Sequence, residues 1–422
     1  MSLKFTDKRG VLFFTVKDNF ISKQTTVSCN KKNVFRGIHI NDFAKLVTCV
    51  QGKILDIIIN FDESDINYLK PQYFILDPLT EQFQIVVPKN YGHAFLSLEE
   101  NSIIVYNLEG EFNQETTKFI NYLDPYINIK LPIENSKLII SDNDNIKQFI
   151  KSIDYLVFGH KGFIGKNIIN TLKKYSKNFI ISDLRLQELD KISYLIDLYK
   201  PKYVINCAGI TGTPNIFWCD EHQIETIENN VIYQSTLASI CKKYGVHLTI
   251  IGSAGIFNDD KLYLEEEQGN NKSNFYGVCR ILLEQIINIY DNILYLRINY
   301  PISSLKSNKN LITKLLSYSH INDCEISITY LDNLLPILLE MIENNEKGIC
   351  NFTNPGIIRL TDIIDEIEKH TNILLNKTII NNNENKRTCV KLETNKINKY
   401  NPLCIKQAIK ECIINYYENK SE

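Results

Sequence analysis

No two of the 11 cysteines stand in a C-x-x-C spacing. That argues against zinc ribbons and against a secreted disulfide framework, and it fits a reducing cytoplasm. An excess of one charge is also missing. The 47 Lys and Arg residues against 49 Asp and Glu leave a formal net charge of −2, so nothing suggests a basic face for nucleic acid. No uninterrupted apolar run approaches the roughly 20 residues of a membrane span. The opening MSLKFTDKRG does not read as a signal peptide, and no internal repeat is visible. A cytoplasmic protein is therefore expected. What remains is ordinary globular material, 44% hydrophobic and 23% charged, and 422 residues allow two or three domains.

The two halves have different rhythms. KLVTCVQGKILDIIINF alternates and is broken at Gly52, and QFQIVVPKNYGHAFLSL does the same around Asn90 and Gly92. Short strands with turn signals at this spacing suggest an all-β sandwich or barrel over residues 1–146. From residue 152 the pattern changes. DYLVFG reads as a buried strand, KNIINTLKKY as a helix, and NFIISD and KYVINCAG as further strands. That succession means βαβ units and an α/β domain over 152–422. The polar stretch ENSKLIISDNDNIKQF reads as a join between the halves, and IINNNENKR near 379–387 reads as a polar loop.

VFGHKGFIG places Gly159, Gly162 and Gly165 between an apolar strand and a helix that begins near Phe163 and Ile164. Glycines let the backbone approach a pyrophosphate, and the helix N-terminus favours its charge, so a dinucleotide is expected here. Asp183 at the end of the second strand suits a ribose 2′-hydroxyl, whereas Arg185 suits a 2′-phosphate. Ala208 and Gly209 end VINCAG, at the next expected edge of the coenzyme. Ser253 in IIGSAGIF precedes Tyr276 in FYGVCR by about 20 residues, the short-chain dehydrogenase arrangement. Such a tyrosine passes a proton to the substrate oxygen as hydride reaches carbon, so it needs a hydroxyl and a cation beside it.

GITGTPNIFWCDEHQIETIENNV, INYPISS, NLITK and GICNFTNPG resemble the plant-type UDP-4-keto-6-deoxy-glucose 3,5-epimerase/4-reductases. The resemblance runs from about residue 153 to the end. It implies a Rossmann-type extended short-chain dehydrogenase with an attached substrate subdomain, using NADPH, with NADH as the other possibility. Asn215 and Lys314 are then expected at the sugar nucleotide. Two positions depart from the family. Its catalytic lysine is Arg280 here, and Gly255 stands where its epimerisation cysteine should be. Arginine is a permanent cation but cannot serve in a proton relay, so slower reduction is expected. Glycine cannot donate a proton, so this domain should epimerise weakly or not at all. A bland alternative is that Tyr276 and Arg280 merely stack on a helix surface.

FTDKRG, NVFRGIHINDFAKLV and VVPKNYGHAF resemble the dTDP-4-dehydrorhamnose 3,5-epimerases, which are cupin jelly rolls. The resemblance implies that His39 is the base, Asp144 its carboxylate partner, Lys45 the stabiliser of an enolate oxygen and Tyr106 the opposing acid. It further implies that Arg9 and Arg36 hold the diphosphate, with His93 in the substrate site. The chemistry is coherent: a C4 ketone acidifies the C3 and C5 protons, and a base and an acid on opposite faces invert those centres. EGEFN puts Phe112 where the family has a second tyrosine. The H-x-H of metal-binding cupins is broken at His39-Ile40-Asn41, so no metal is expected. Pairing into homodimers through the cupin is implied by the same resemblance.

The halves then explain one another. A dedicated epimerase precedes a reductase that has lost its own epimerisation cysteine, and the expected substrate is a UDP-linked 4-keto-6-deoxy sugar, converted to UDP-L-rhamnose. Two rival readings stand beside this one: a 2-acetamido 4-keto-6-deoxy sugar as substrate, or a non-catalytic dehydrogenase-like domain attached to a working cupin.

Overall fold

The computed structural model describes residues 4–8, 10–15, 19–145, 148–213, 215–381 and 389–418. The chain divides after Lys151 into two compact units.

The first unit opens with a hairpin of β1 (Lys4–Asp7) and β2 (Gly10–Phe13). Nine strands follow: β3 (Gln24–Asn30), β4 (Phe35–Ile40), β5 (Lys45–Gln51), β6 (Ile54–Asn60), β7 (Pro71–Leu76), β8 (Gln84–Val87), β9 (Tyr91–Ser97), β10 (Ser102–Leu108) and β11 (Lys118–Phe119). They form a four-stranded sheet ordered β3-β10-β5-β8 and a five-stranded sheet ordered β11-β4-β9-β6-β7, the two layers of a cupin jelly roll. The turn at Gly52 does not close a hairpin. It carries the chain from β5 in one sheet to β6 in the other, and the turn at Asn90 does the same between β8 and β9. Val47, Cys49 and Ile104 pack with Ile54, Ile58 and Phe95 between the sheets.

The other face of the five-stranded sheet is apolar as well, with Phe35, Ile57, Ile59 and Leu96. Such a face must be covered. The segment read as a polar join does this work, so that reading is corrected. Ile139 accepts from Phe35 N at 2.9 Å and donates to Asn33 O at 2.9 Å, and Leu138 and Ile140 pack on the cluster.

The second unit begins with β12 (Tyr155–Phe158), α1 (Phe163–Lys174), β13 (Phe179–Ser182), α2 (Leu189–Tyr199) and β14 (Tyr203–Asn206). Short helices α3 (Trp218–Glu221) and α4 (Gln223–Ile227) continue through a π-helical turn (Glu228–Ile232) into α5 (Tyr233–Lys243). Then come β15 (His247–Ile251), β16 (Leu262–Tyr263), α6 (Phe275–Ile287), β17 (Ile293–Arg297), α7 (Leu311–Ser317), β18 (His320–Asp323), β19 (Glu325–Ile326), α8 (Leu331–Glu343) and β20 (Gly348–Asn351). The chain ends with β21 (Ile358–Arg359), α9 (Leu360–Thr371), β22 (Thr378–Asn381), β23 (Lys391–Leu392), α10 (Asn395–Asn398) and α11 (Ile405–Glu418).

Six parallel strands order as β13-β12-β14-β15-β17-β20. Apolar clusters cover both faces, as an all-parallel sheet requires. The strand order reverses between β12 and β14, which opens a crevice at their carboxyl ends. A separate cluster of Ile312, Leu315, Ile321, Ile363, Ile409 and Ile413 holds the C-terminal lobe together. Within the predicted polar loop, Ile379 and Ile380 instead belong to β22, paired with β18; residues 382–388 lie outside the described residues. Among the described residues, no helix is long and apolar enough to cross a membrane.

Candidate active sites

In the first unit, a cavity of about 300 Å³ opens between the two sheets, lined by Arg36, His39, Lys45, His93, Tyr106 and Phe112 among others. The Arg-Gly-Ile-His run reaches it through an irregularity. Strand alternation alone would point residues three apart to opposite faces, but the β4–β9 register shifts between Arg36 and His39, so both line the cavity. Gly37 sits at φ +118°, and a Cβ there would lie 2.5 Å from His93 O, so no other residue fits. Lys45 and Tyr106 come from the facing sheet, where Tyr106 pairs with Val47 and Leu108 with Lys45.

His39 Nε2 lies 2.5 Å from Asp144 Oδ1, and Ser141 Oγ donates to Asp144 Oδ2 at 3.0 Å. Asp144 is buried, so its carboxylate is held where it orients the imidazole. Lys45 is buried and donates to Asn41 Oδ1 at 3.2 Å; Asn41 Nδ2 in turn donates to Thr117 Oγ1 at 2.9 Å, which fixes the amide's orientation. Burial lowers the Lys45 pKa to about 8 against the opposing pull of Asp56. His93 Nε2 lies 2.7 Å from Asp56 Oδ1, in a second His–carboxylate pair that is fully buried. Burial pushes His93 down and Tyr106 up. Arg36 donates through Nε to Asn30 Oδ1 at 3.0 Å. Phe112, in place of a second tyrosine, has its backbone N–H on Gln24 Oε1 at 2.7 Å. Arg9 lies outside the described residues. Among the described residues, no group of three or more His, Cys, Asp or Glu side chains is arranged to hold a metal.

In the second unit, Gly159 follows β12 at φ +74°, where a Cβ would lie 2.4 Å from Ala208 N on the neighbouring loop. Gly162 caps α1 without a side-chain bond, and the first-turn N–H groups of Phe163, Ile164 and Gly165 have no acceptor within the helix. The loop after β14 is clamped from the π-helical turn: Asn230 accepts from Ile210 N at 2.9 Å and donates to Ile210 O at 2.8 Å, while Gln234 donates to Ala208 O at 3.2 Å. Asp183 is exposed and ion-paired with Lys161 Nζ at 2.6 Å, with His160 Nε2 at 3.6 Å. The bond to Lys161 holds its carboxyl below the usual range. Arg185 is exposed, and its backbone N–H bonds Glu188.

Ser253 Oγ accepts from Gly255 N at 3.0 Å, so the hydroxyl hydrogen is left for another acceptor. A Cβ at position 255 would lie 3.1 Å from Ser253 Oγ and 3.7 Å from a Tyr276 ring carbon, so the three positions converge. Asn274 caps α6 through Gly277 N at 2.8 Å and sets Tyr276 in the first turn. The Arg280 guanidinium lies 5.3 Å from the Tyr276 ring centroid and is buried, which removes the surface-stacking alternative. Its Nε and Nη1 have no hydrogen-bond partner. Burial acts to lower its pKa, and the Tyr276 and Tyr295 phenols outweigh that and raise it. Asn215 is exposed, and its Oδ1 accepts from Phe217 N at 3.0 Å. Lys314 lines a small cavity with Tyr300, Tyr318 and His320.

The chain matches the dTDP-4-dehydrorhamnose 3,5-epimerase family over residues 3–152 and the NAD dependent epimerase/dehydratase family over residues 155–300. It is 36% identical over 223 residues to a bifunctional dTDP-4-dehydrorhamnose 3,5-epimerase/dTDP-4-dehydrorhamnose reductase of Arabidopsis thaliana, covering 51% of this chain and 74% of the relative. The chain belongs to the bifunctional nucleotide-sugar 3,5-epimerase/4-reductases. It is also 34% identical over 250 residues to a trifunctional UDP-glucose 4,6-dehydratase/UDP-4-keto-6-deoxy-D-glucose 3,5-epimerase/UDP-4-keto-L-rhamnose-reductase of the same plant, covering 57% of this chain but only 37% of that longer protein. Among solved structures, the L780 UDP-rhamnose synthase of Acanthamoeba polyphaga mimivirus superposes with a TM-score of 0.59 at 26% identity, over 63% of this chain and 100% of the other.

The family model matched by the second unit is NAD dependent, and the residues at the crevice fit a nicotinamide coenzyme. A Cβ would fill the cradle at Gly159, the α1 N-terminus is open to a pyrophosphate, and a buried cation with two unpartnered nitrogens stands beside Tyr276. Sequence reasoning missed Asp56, Asn41 and Lys161. Asp56 left one signal, a lone carboxylate in the apolar run ILDIIIN, because a buried charge needs a partner. The others leave none, since their partners are distant in sequence or come from another strand.

Proposed function

We propose that the chain epimerises UDP-4-keto-6-deoxy-glucose at C3 and C5 in its first domain and reduces the product at C4 in its second, giving UDP-L-rhamnose. One observation carries the reading. The His39–Asp144 pair and Lys45–Tyr106 arise from facing sheets and line one cavity, the arrangement that proton exchange on two faces of a sugar requires. His39, with Nε2 on Asp144, takes the proton from carbon. Lys45 neutralises the enolate oxygen. Tyr106 returns a proton from the other side.

In the second domain the bound coenzyme supplies hydride. Tyr276 gives its phenolic proton to the C4 oxygen, Ser253 donates to that oxygen, and Arg280 provides the positive charge beside Tyr276. Gly255 has no proton to give, which agrees with leaving epimerisation to the first domain. The choice of UDP follows the trifunctional plant relative and the viral UDP-rhamnose synthase, while the bifunctional plant relative carries dTDP in its name. Pairing of two chains through the first domain belongs to the same proposal, and a sizing column reads it.

The test is incubation with the UDP- and dTDP-linked 4-keto-6-deoxy sugars in deuterated water, with and without NADPH or NADH, followed by NMR. Deuterium at C3 and C5 without coenzyme, and rhamnose with it, are expected. Exchange without reduction under both coenzymes would leave the second domain without the proposed role.

A further inference from the structure

Two His–carboxylate pairs stand side by side in the first cavity, and they differ in burial. His39 and His93 lie directly opposite each other on β4 and β9. Asp144 meets the first at 2.5 Å and Asp56 the second at 2.7 Å. The His39 side chain is 24% exposed, that of His93 only 5%, and Asp56 is fully enclosed. Water reaches the first imidazole and hardly reaches the second. A ring that takes a proton from carbon must become a cation, and burial disfavours that form. At His93 burial, with the Lys45 charge added to it, outweighs the pull of Asp56, so the ring stays neutral.

The proton count then fixes the tautomer. A neutral imidazole carries one N–H, and a carboxylate only accepts, so the hydrogen sits on Nε2 and is donated to Asp56 Oδ1. Nδ1 is left as a bare acceptor. It has no partner among the described residues, and His93 lines the cavity. Arg36 and Lys45 on the same wall are donors only. A sugar hydroxyl that must donate finds its acceptor in Nδ1. Asp56 lies on β6 two residues before Ile58, on the face that packs between the sheets. Its Oδ2 is buried with no hydrogen-bond partner. A carboxylate half satisfied in this way is a poor device for stability, since apolar side chains would pack there at lower cost.

We infer that Asp56 is a positioning residue that fixes the hydrogen of His93 on Nε2, so that Nδ1 accepts from a hydroxyl of the bound sugar and moves no proton itself. The inference rests on the epimerase reading of this cavity. The two pairs then divide the work: His39, open to water, exchanges the proton, and His93, shut away from it, holds the sugar.

The experiment uses the full chain labelled with isotopic nitrogen at its histidines. Nitrogen NMR near neutral pH reads the tautomer, with the His93 signals identified as those lost in His93→Gln. A protonated Nε2 and a bare Nδ1 are expected in the wild type. A cationic ring, or the hydrogen on Nδ1, would overturn the inference without any change at Asp56. Asp56→Asn carries an amide that donates as well as accepts, so it no longer dictates one tautomer, and the Nδ1–H form should appear. In coenzyme-free deuterium exchange its KM for UDP-4-keto-6-deoxy-glucose should rise about tenfold, the scale of one lost hydrogen bond, with kcat within about twofold of the wild type. Both are compared on the plateau below the alkaline fall of Lys45, because Asp56 also supports that charge. A tenfold fall in kcat, or an unchanged KM, would overturn the inference. A wild-type chain that exchanges no deuterium would remove the epimerase reading itself, and that result is read before any variant is made.

Discussion

Lys45 must carry charge to stabilise an enolate, and burial lowers its pKa to about 8. It is protonated below that value and neutral above it. Deuterium exchange at C3 and C5 should therefore fall as pH rises through about 8. Lys45→Arg, which cannot lose its proton, should move that alkaline fall out of the measured range, even if the rate at neutral pH drops. Lys45→Met should cost about 10²–10³-fold in exchange at neutral pH, the usual loss on removing an oxyanion-stabilising group. Coenzyme choice is also argued at single residues. Asp183 would repel a 2′-phosphate, but Lys161 pairs with it at 2.6 Å. Lys161→Ala should raise the KM for NADPH more than that for NADH, read from initial rates with each coenzyme. A parallel change in both would mean that Lys161 only shields a surface charge.

At the scale of elements, α6 is fastened to the sheet by the buried Arg297–Glu284 fork, to which Arg297 adds bonds to the carbonyls of Glu265 and Glu267 at 3.2 and 2.8 Å. Removing one partner leaves a buried charge. Arg297→Leu should destabilise the second domain by about 3–5 kcal/mol in urea denaturation, and Arg297→Leu with Glu284→Leu should recover much of that loss. Additive losses would show that the carbonyl bonds of Arg297, not the ion pair, fasten the helix. How much of these elements the sequence displayed depends on period. The strand-helix-strand rhythm after residue 152 was readable because burial imposes a regular apolar repeat. The segment at 134–145 was not, because it covers a sheet with a few separated apolar side chains, Leu138 and Ile140 among them, in an irregular backbone.

For the whole molecule, tethering matters if the keto-sugar passes from one domain to the other. A mixture of residues 1–151 and 152–422, split where the two compact units divide, should form rhamnose more slowly than the intact chain at ~1 µM and match it near ~1 mM, the range of effective concentrations for linked modules. Equal rates at the low concentration would remove any advantage of fusion.

The sequence by itself determined the order of an all-β half and an α/β half, the glycine loop and the Ser253–Tyr276–Arg280 spacing, which are written in local patterns where spacing reflects one turn, strand or helix. His39, Lys45 and Tyr106 became candidates only through the family resemblance of the segments that carry them. Only the tertiary structure decided that His93 pairs with Asp56, that Lys161 meets Asp183, and that Arg280 is buried while Arg297 takes Glu284. Those pairings join residues on separate elements, where distance in space is set by sheet order and packing and leaves no period to read.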